Sequence, residues 1–200
     1  SKSLGIANGM DEKKVLKQMS YIDKLNKKYQ GKIKILKGIE LNILKDGRVD
    51  ISDKVLEKLD IVGASIHSYF KMTKNEMTSR IKKAMANKNI DIIFHPTGRL
   101  LLQREAYEVD LEELFKYAQK TKTIFEINAS PERLDLSDKA IRLGLKHNIL
   151  FSLGTDSHYL SQLENMIFAV GQARRGWLSK EKVLNSKSSE ELINFIKNNK

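Results

Sequence analysis

The sequence has 200 residues, 40% of them hydrophobic, enough to bury one sizeable core and a length that fits one domain better than two. No apolar run approaches the roughly 18 residues of a membrane helix, and no basic segment leading into an apolar stretch opens the chain, so the expectation is a cytoplasmic protein with no membrane partner. Zero cysteines exclude disulfides and thiolate ligands, leaving His, Asp and Glu to hold any metal, while 36 basic against 25 acidic residues, a net charge of +11, favour a polyanionic partner such as nucleic acid.

Taken in chain order, GIANG at 5–9 is a weak phosphate-loop signal that reads more readily as a mobile loop. Residues 11–29 have helical periodicity, with Lys13, Lys17, Lys24 and Lys28 near helical spacing; a solvated lysine face therefore competes with nucleic-acid binding as the explanation of the charge. KIKILKGIE at 32–40 is the first strand-like run, and Asp46-Gly47 within 42–51 reads as a small hairpin or tight turn. LDIVGASIH at 59–67 is the second run, and a helix-like stretch follows at 73–87. DIIFHP at 91–96, a helix at 110–120, TIFEINAS at 123–130, a helix at 137–147 and ILFSLGTDSH at 149–158 complete the alternation, with a tail helix over 190–200. Short Ile-rich strands alternating with helices predict an α/β fold with parallel strands and right-handed crossovers, either an open doubly wound sheet or a closed barrel.

The rare ionisable residues fall at the ends of these strands. Glu40 ends the first, His67 the second and His95 the third; Asp156 and His158 follow the fifth. In a parallel α/β protein all such ends point to one face, so residues distant in sequence converge there. Any one of them reads readily as a hydrogen-bonded core His or a lysine-paired Glu. Together they are polar groups too costly to crowd without a purpose, and a multinuclear metal site removes that cost. Asp156-Ser157-His158 puts a carboxylate and an imidazole two residues apart, where both can face the same way. His147 closes a helix and reads as structural. Arg99 and Arg133 extend from strand ends and are candidate phosphate clamps, with loop-stabilising ion pairs the alternative. Asn128, on the same strand side as Glu126, is a candidate for orienting a phosphate or a ligand, or for tying down its own loop.

Taken together, GIE at 38–40, DIVGASIHS at 60–68, FHPTGRLL at 94–101, EINASPERLDL at 126–136 and GTDSH at 154–158 resemble the polymerase-and-histidinol-phosphatase superfamily. SKSLGIANGM at 1–10, HPTGRLL, RLDL and ARRGWL at 173–178 resemble its version attached to bacterial and archaeal family X DNA polymerases, covering about residues 1–185 in order. The resemblance implies one metallophosphoesterase domain over 1–200, with a tail from 186, folded as a distorted (βα)7 TIM-like barrel around two or three ions of manganese or zinc. It implies Glu40, His67, His95, Asp156 and His158 as metal ligands, and a 3′-5′ exonuclease acting on DNA beside a polymerase domain. Members of the superfamily open with a His-x-His strand, an Asp and a Thr-Asp-His turn, whereas no histidine precedes His67 here, so the barrel is expected to lack about its first two strands.

The expected chemistry is metal-assisted hydrolysis of a phosphoester, with Arg99 and Arg133 positioning the phosphate. Two alternatives remain: a small-molecule phosphatase of the histidinol-phosphatase kind, against which the charge leans, and a noncatalytic module that docks DNA or a polymerase.

Overall fold

In the computed structural model, which describes residues 9–199, helix and strand alternate as α1 (Glu12–Lys28), β1 (Gly38–Asn42), α2 (Asp53–Leu56), β2 (Ile61–Ser65), α3 (Lys74–Met85), β3 (Ile92–Ile93), α4 (Leu111–Thr121), β4 (Ile124–Asn128), α5 (Asp138–Lys146), β5 (Phe151–Gly154), α6 (Met166–Arg175) and α7 (Ser189–Asn199). The GIANG segment lies, but for Gly9, outside the described residues. Local chemistry sets the helix starts: Asp11, Thr73, Asp110 and Ser137 each accept a first-turn N–H with the side chain, and Thr73 with Glu76 forms a reciprocal capping box.

The five strands form one wholly parallel sheet in the order β1-β2-β3-β4-β5. Each new strand joins the outer side of the one before it, and α3 packs on α4, α4 on α5 and α5 on α6. Right-handed crossovers onto a sheet that grows in one direction place successive helices on one side. A doubly wound sheet would reverse its strand order partway and divide its helices between two faces. The described strands show no such reversal of order.

Strand alternation then separates two chemistries. On the helix side stand Leu41, Val62, Ala64, Ile93, Phe125, Ile127 and Phe151, part of the main hydrophobic core. Glu40, Asn42, Ser65, Glu126, Asn128 and Ser152 alternate with them and so face away from the helices. The lower part of that second face is filled by a smaller apolar cluster, in which Leu184 and the α7 residues Leu192 and Phe195 cover Ile92 and Ile124. The tail helix thus closes the end where the strands begin and leaves polar residues at the end where they finish.

The strands are shorter than the apolar runs suggest. Residues 32–36 run up to β1 outside the sheet, with Asn26 bracketing Ile35 through both its N–H and C=O, and Lys37 joins the sheet's edge, its N–H donating to the Asp60 side chain and its C=O accepting from the Asp60 and Ile61 N–H groups. β3 stops after Ile93, and two residues later His95 turns out of the sheet with φ +29°. The Asp46-Gly47 turn is a tight hairpin closed by an Ile43–Val49 bridge, with Gly47 at φ +84°. The outer edge of β5 is partly occupied: Val183 bridges to Phe151, and the Asn185 amide both donates to the Leu153 carbonyl at 3.0 Å and accepts from its N–H at 2.7 Å.

Candidate metal centre

Three sequence-distant side chains meet where the strands end. Donor atoms of Glu40, His67 and His95 all lie within 4.8 Å of one another. Glu40 Oε1 stands 3.0 Å from His95 Nε2 and 3.4 Å from His67 Nε2, and accepts the Ser65 hydroxyl at 2.6 Å. The Ser65 hydroxyl also lies 3.2–3.3 Å from both nitrogens of His67, and the two imidazoles meet edge to face at 5.4 Å. Burial opposes the charge on Glu40, but the hydrogen bonds from His67, His95 and Ser65 outweigh it and hold the carboxyl far below the usual range. At His95 burial works against the proton, yet the Glu40 carboxylate prevails and raises the imidazole above its ordinary value.

The donor set fits a divalent cation. Three nitrogen and oxygen donors within 4.8 Å have about the span of one coordination sphere, whose bonds are about 2.0–2.2 Å long. The His95 ring is 3% exposed and its Nδ1 is buried without a hydrogen-bond partner, so the imidazole is held in place with one nitrogen uncommitted to protein.

Behind this cluster lies a buried polar layer. Glu126 Oε2 accepts the His95 backbone N–H at 2.8 Å and the Asn128 amide at 3.1 Å, and Asn128 Nδ2 reaches Asp156 Oδ2 at 3.4 Å. Burial raises the Glu126 carboxyl to about 7, chiefly against the pull of His95. Asp156, at φ +51°, also meets Arg133 Nε at 3.5 Å. A hydrogen-bonded path therefore connects the β3, β4 and β5 ends. His158 sits at the exposed rim; its Nδ1 lies 2.9 Å from the Asp156 carbonyl, which can only accept, so Nδ1 is the donor and Nε2 is left clear of that contact.

Glu40, His67 and His95 are thus brought together, and Asp156 joins them through Asn128 and Glu126, whereas His158 stands apart at the rim. Arg99 directs Nε to the Arg133 carbonyl at 2.7 Å and a terminal nitrogen to the Leu134 carbonyl, so it braces the loop that carries Arg133. His147 caps the end of α5, 3.7 Å from Glu112. Sequence reasoning missed the parts played by Ser65 and Glu126. The alternation that puts Ser65 on the His67 side and Glu126 on the Asn128 side was the available signal. Buried Asp135, which accepts the Thr97 N–H at 2.9 Å, left no such signal in its loop.

Gly154 permits the close approach on which the layer depends: a Cβ there would lie 2.1 Å from Glu126 Oε1. Gly154→Ala is therefore expected to displace Glu126, slacken the His95 loop and weaken divalent-ion binding by about 10–100-fold, the usual cost of disturbing a ligand's support. Calorimetric titration with manganese measures it, and unchanged affinity would show that Glu126 does not govern the centre.

No protein-family model matches the chain. It is 40% identical to the DNA polymerase/3′-5′ exonuclease PolX of Bacillus subtilis over its whole length, while spanning 35% of that protein. It is 30% identical to a protein named probable phosphatase in Caldicellulosiruptor bescii, covering 82% of this chain and 69% of that one. Among solved structures, the histidinol phosphate phosphatase of Lactococcus lactis, determined with zinc, L-histidinol and phosphate, superposes with a TM-score of 0.56 at 17% identity, over 82% of this chain and 75% of that one. This last likeness is one of fold.

Proposed function

The chain belongs to the polymerase-and-histidinol-phosphatase superfamily, and from that premise we propose that it is a metal-dependent phosphoesterase, the 3′-5′ exonuclease domain of a family X DNA polymerase. The observation that carries this reading is the meeting of Glu40, His67 and His95 at the ends of three parallel strands. The +11 charge and the 40% identity to a polymerase/exonuclease support DNA as the substrate. A polymerase domain on the same natural polypeptide, a cytoplasmic location and a single domain over 1–200 belong to the same proposal. So does the distorted (βα)7 barrel, which the addition of parallel strands in chain order supports. Among the described residues no helix is long and apolar enough to cross a membrane.

In this mechanism Glu40, His67 and His95 would hold one divalent ion, manganese or zinc, and Asp156 and His158 would contribute to a second. Bound ions supply Lewis-acid activation of the attacking water and neutralise charge building on the leaving oxygen. The protein's own groups do the positioning. The Ser65 hydroxyl fixes Glu40, and the Glu126 carboxylate fixes the His95 backbone and Asn128. Arg133, whose Nη1 is buried without a partner, presents its guanidinium to the phosphate, with Asn128 beside it. Arg99 acts with them by setting where Arg133 stands.

The test is digestion of 3′-labelled single-stranded DNA with manganese, run beside phosphate release from a small monoester. Shortening of the DNA from its 3′ end, abolished by a chelator and faster than monoester hydrolysis, is the expected result. Preference for the monoester would favour the second reading, a small-molecule phosphatase, which the name of the Caldicellulosiruptor relative supports. Salt-sensitive DNA binding without turnover of either substrate would leave a noncatalytic module.

A further inference from the structure

Asp135 is wholly buried in the loop that follows β4. Its Oδ2 accepts the Thr97 N–H at 2.9 Å and its C=O accepts the Asn128 N–H at 2.5 Å, so it joins the loop that carries His95 to the end of β4. Its Oδ1 is buried without a partner, and among the described residues no lysine or arginine pairs with the carboxylate. A single backbone N–H does not call for a charged acceptor. Asparagine would take that bond through its carbonyl oxygen, whereas a carboxylate brings a charge out of water at a cost that only partners offset. A second oxygen kept at that cost points to a second donor.

The loop that Thr97 belongs to holds a donor of the right kind. His95 Nε2 faces Glu40 at 3.0 Å, which leaves Nδ1 on another edge of the ring, buried and likewise without a partner. The backbone around it is held firmly: Glu126 accepts the His95 N–H at 2.8 Å, the His95 C=O accepts the Gly98 N–H at 2.9 Å, and the Tyr107 hydroxyl donates to the Pro96 C=O at 2.7 Å. With the ring only 3% exposed, Nδ1 has no access to bulk water. Burial pushes the Asp135 carboxyl up, opposed first by the Thr97 N–H and then by the charge of His95, which acts on it ahead of Arg99. Arg133 Nη1 is a further buried donor without a partner, but the same guanidinium already meets Asp156 through Nε at 3.5 Å. Which nitrogen of an imidazole keeps its lone pair is set by the bond that the other one makes, and a ligating histidine ordinarily gives its far N–H to a carboxylate or a carbonyl.

We propose that Asp135 is a positioning residue for the metal centre: its Oδ1 accepts the Nδ1 proton of His95, through a small turn of the carboxylate or a buried water, and so keeps the Nε2 lone pair on the Glu40 side, where the cation would bind. The inference rests on the reading of Glu40, His67 and His95 as metal ligands, and it adds the group that selects the tautomer of one of them. The same side chain then has two tasks, Oδ2 fixing the loop and Oδ1 fixing the proton.

The test is calorimetric titration of this chain and of Asp135→Asn with zinc, beside nitrogen-15 NMR of the histidine rings in the zinc-loaded proteins. Asparagine can still accept from Thr97, but it then turns an NH2 donor to where Oδ1 stands. Asp135→Asn, shown folded by circular dichroism, is expected to bind zinc about 10–100-fold more weakly. The wild type is expected to show the His95 proton on Nδ1, shielded from exchange, and the variant to lose that signal. Unchanged affinity in the variant, or weaker binding with the Nδ1 proton retained, would reduce Asp135 to a support for Thr97 and overturn the proposal. A wild-type spectrum with zinc on Nδ1 would overturn it without any variant. No zinc binding by the wild type would remove the metal centre itself, and this proposal with it.

Discussion

Replacing His95 with alanine is expected to abolish the stabilisation that divalent ions confer on this protein and, with it, phosphoester hydrolysis. Its Nε2 lies 3.0 Å from Glu40 Oε1, and its 3%-exposed ring is held by a backbone N–H bonded to Glu126. Disturbing a ligand's support costs about 10–100-fold in affinity or activity, and losing the ligand itself is expected to exceed that. A ligand at 100 times its dissociation constant stabilises the native state by about 2.7 kcal/mol, enough for a clear rise in melting temperature. Wild type should show that rise with manganese or zinc, and His95→Ala should not. The substitution also removes the Nε2 contact with Glu40, so melting without added metal should fall by that loss and by the cost of a small cavity, and the metal response is read as the difference between melting with and without the ion for each protein. His147→Ala, remote from the cluster at the end of α5, should keep the metal response. A His95→Ala protein that still gained stability from metal would sink the assignment of this cluster as the centre.

Much of that site is legible in the sequence because parallel α/β topology converts sequence order into spatial convergence. Once the runs at Glu40, His67 and His95 are read as strands, their ends must share a face, and the five-stranded parallel sheet brings them there. The same logic places Asp156 near by without fixing its contacts, because those depend on a left-handed backbone at φ +51° that no periodicity announces. Arg99 shows the opposite difficulty. Its position four residues beyond His95 gives it reach toward a phosphate, but the carbonyls of Arg133 and Leu134 engage its guanidinium. Whether a loop arginine meets backbone or ligand is decided by loop conformation, which residue type does not encode. Strand length escaped for a related reason: the lysine-rich run-up at 32–36 has strand composition, yet the Asn26 side chain takes both backbone groups of Ile35 in place of a neighbouring strand. The helix at Met166–Arg175 was not singled out because only Ala169 and Ala173 of its apolar residues are buried, and Ile167 and Phe168 remain exposed.

Arg80→Met is expected to produce the largest loss of stability in the chain, about 4 kcal/mol, since each buried carbonyl left without its donor costs about 1–3 kcal/mol. Arg80, on α3, is almost wholly buried, and its guanidinium donates to the carbonyls of Ile43, of Leu44 at 2.8 Å and of Ser68 at 2.9 Å. No carboxylate pairs with it among the described residues; burial lowers its pKa, yet a guanidinium stays protonated at any ordinary pH. Methionine nearly fills the volume, so the loss isolates hydrogen bonding from packing. Lysine, with fewer donors and a point charge in place of a planar fork, should recover only part of the difference. Urea unfolding checks both variants against a total stability that for most domains is about 5–15 kcal/mol. The location gives the result a second reading. Ile43 and Leu44 follow the strand that carries Glu40, and Ser68 follows His67, so this one side chain ties together the exits of β1 and β2. In Arg80→Met, assayed at a temperature where it is still folded, metal affinity should therefore fall along with stability. If stability falls while metal affinity holds, Glu40 and His67 are positioned by the sheet alone, and the loops beyond them have no part in shaping the centre.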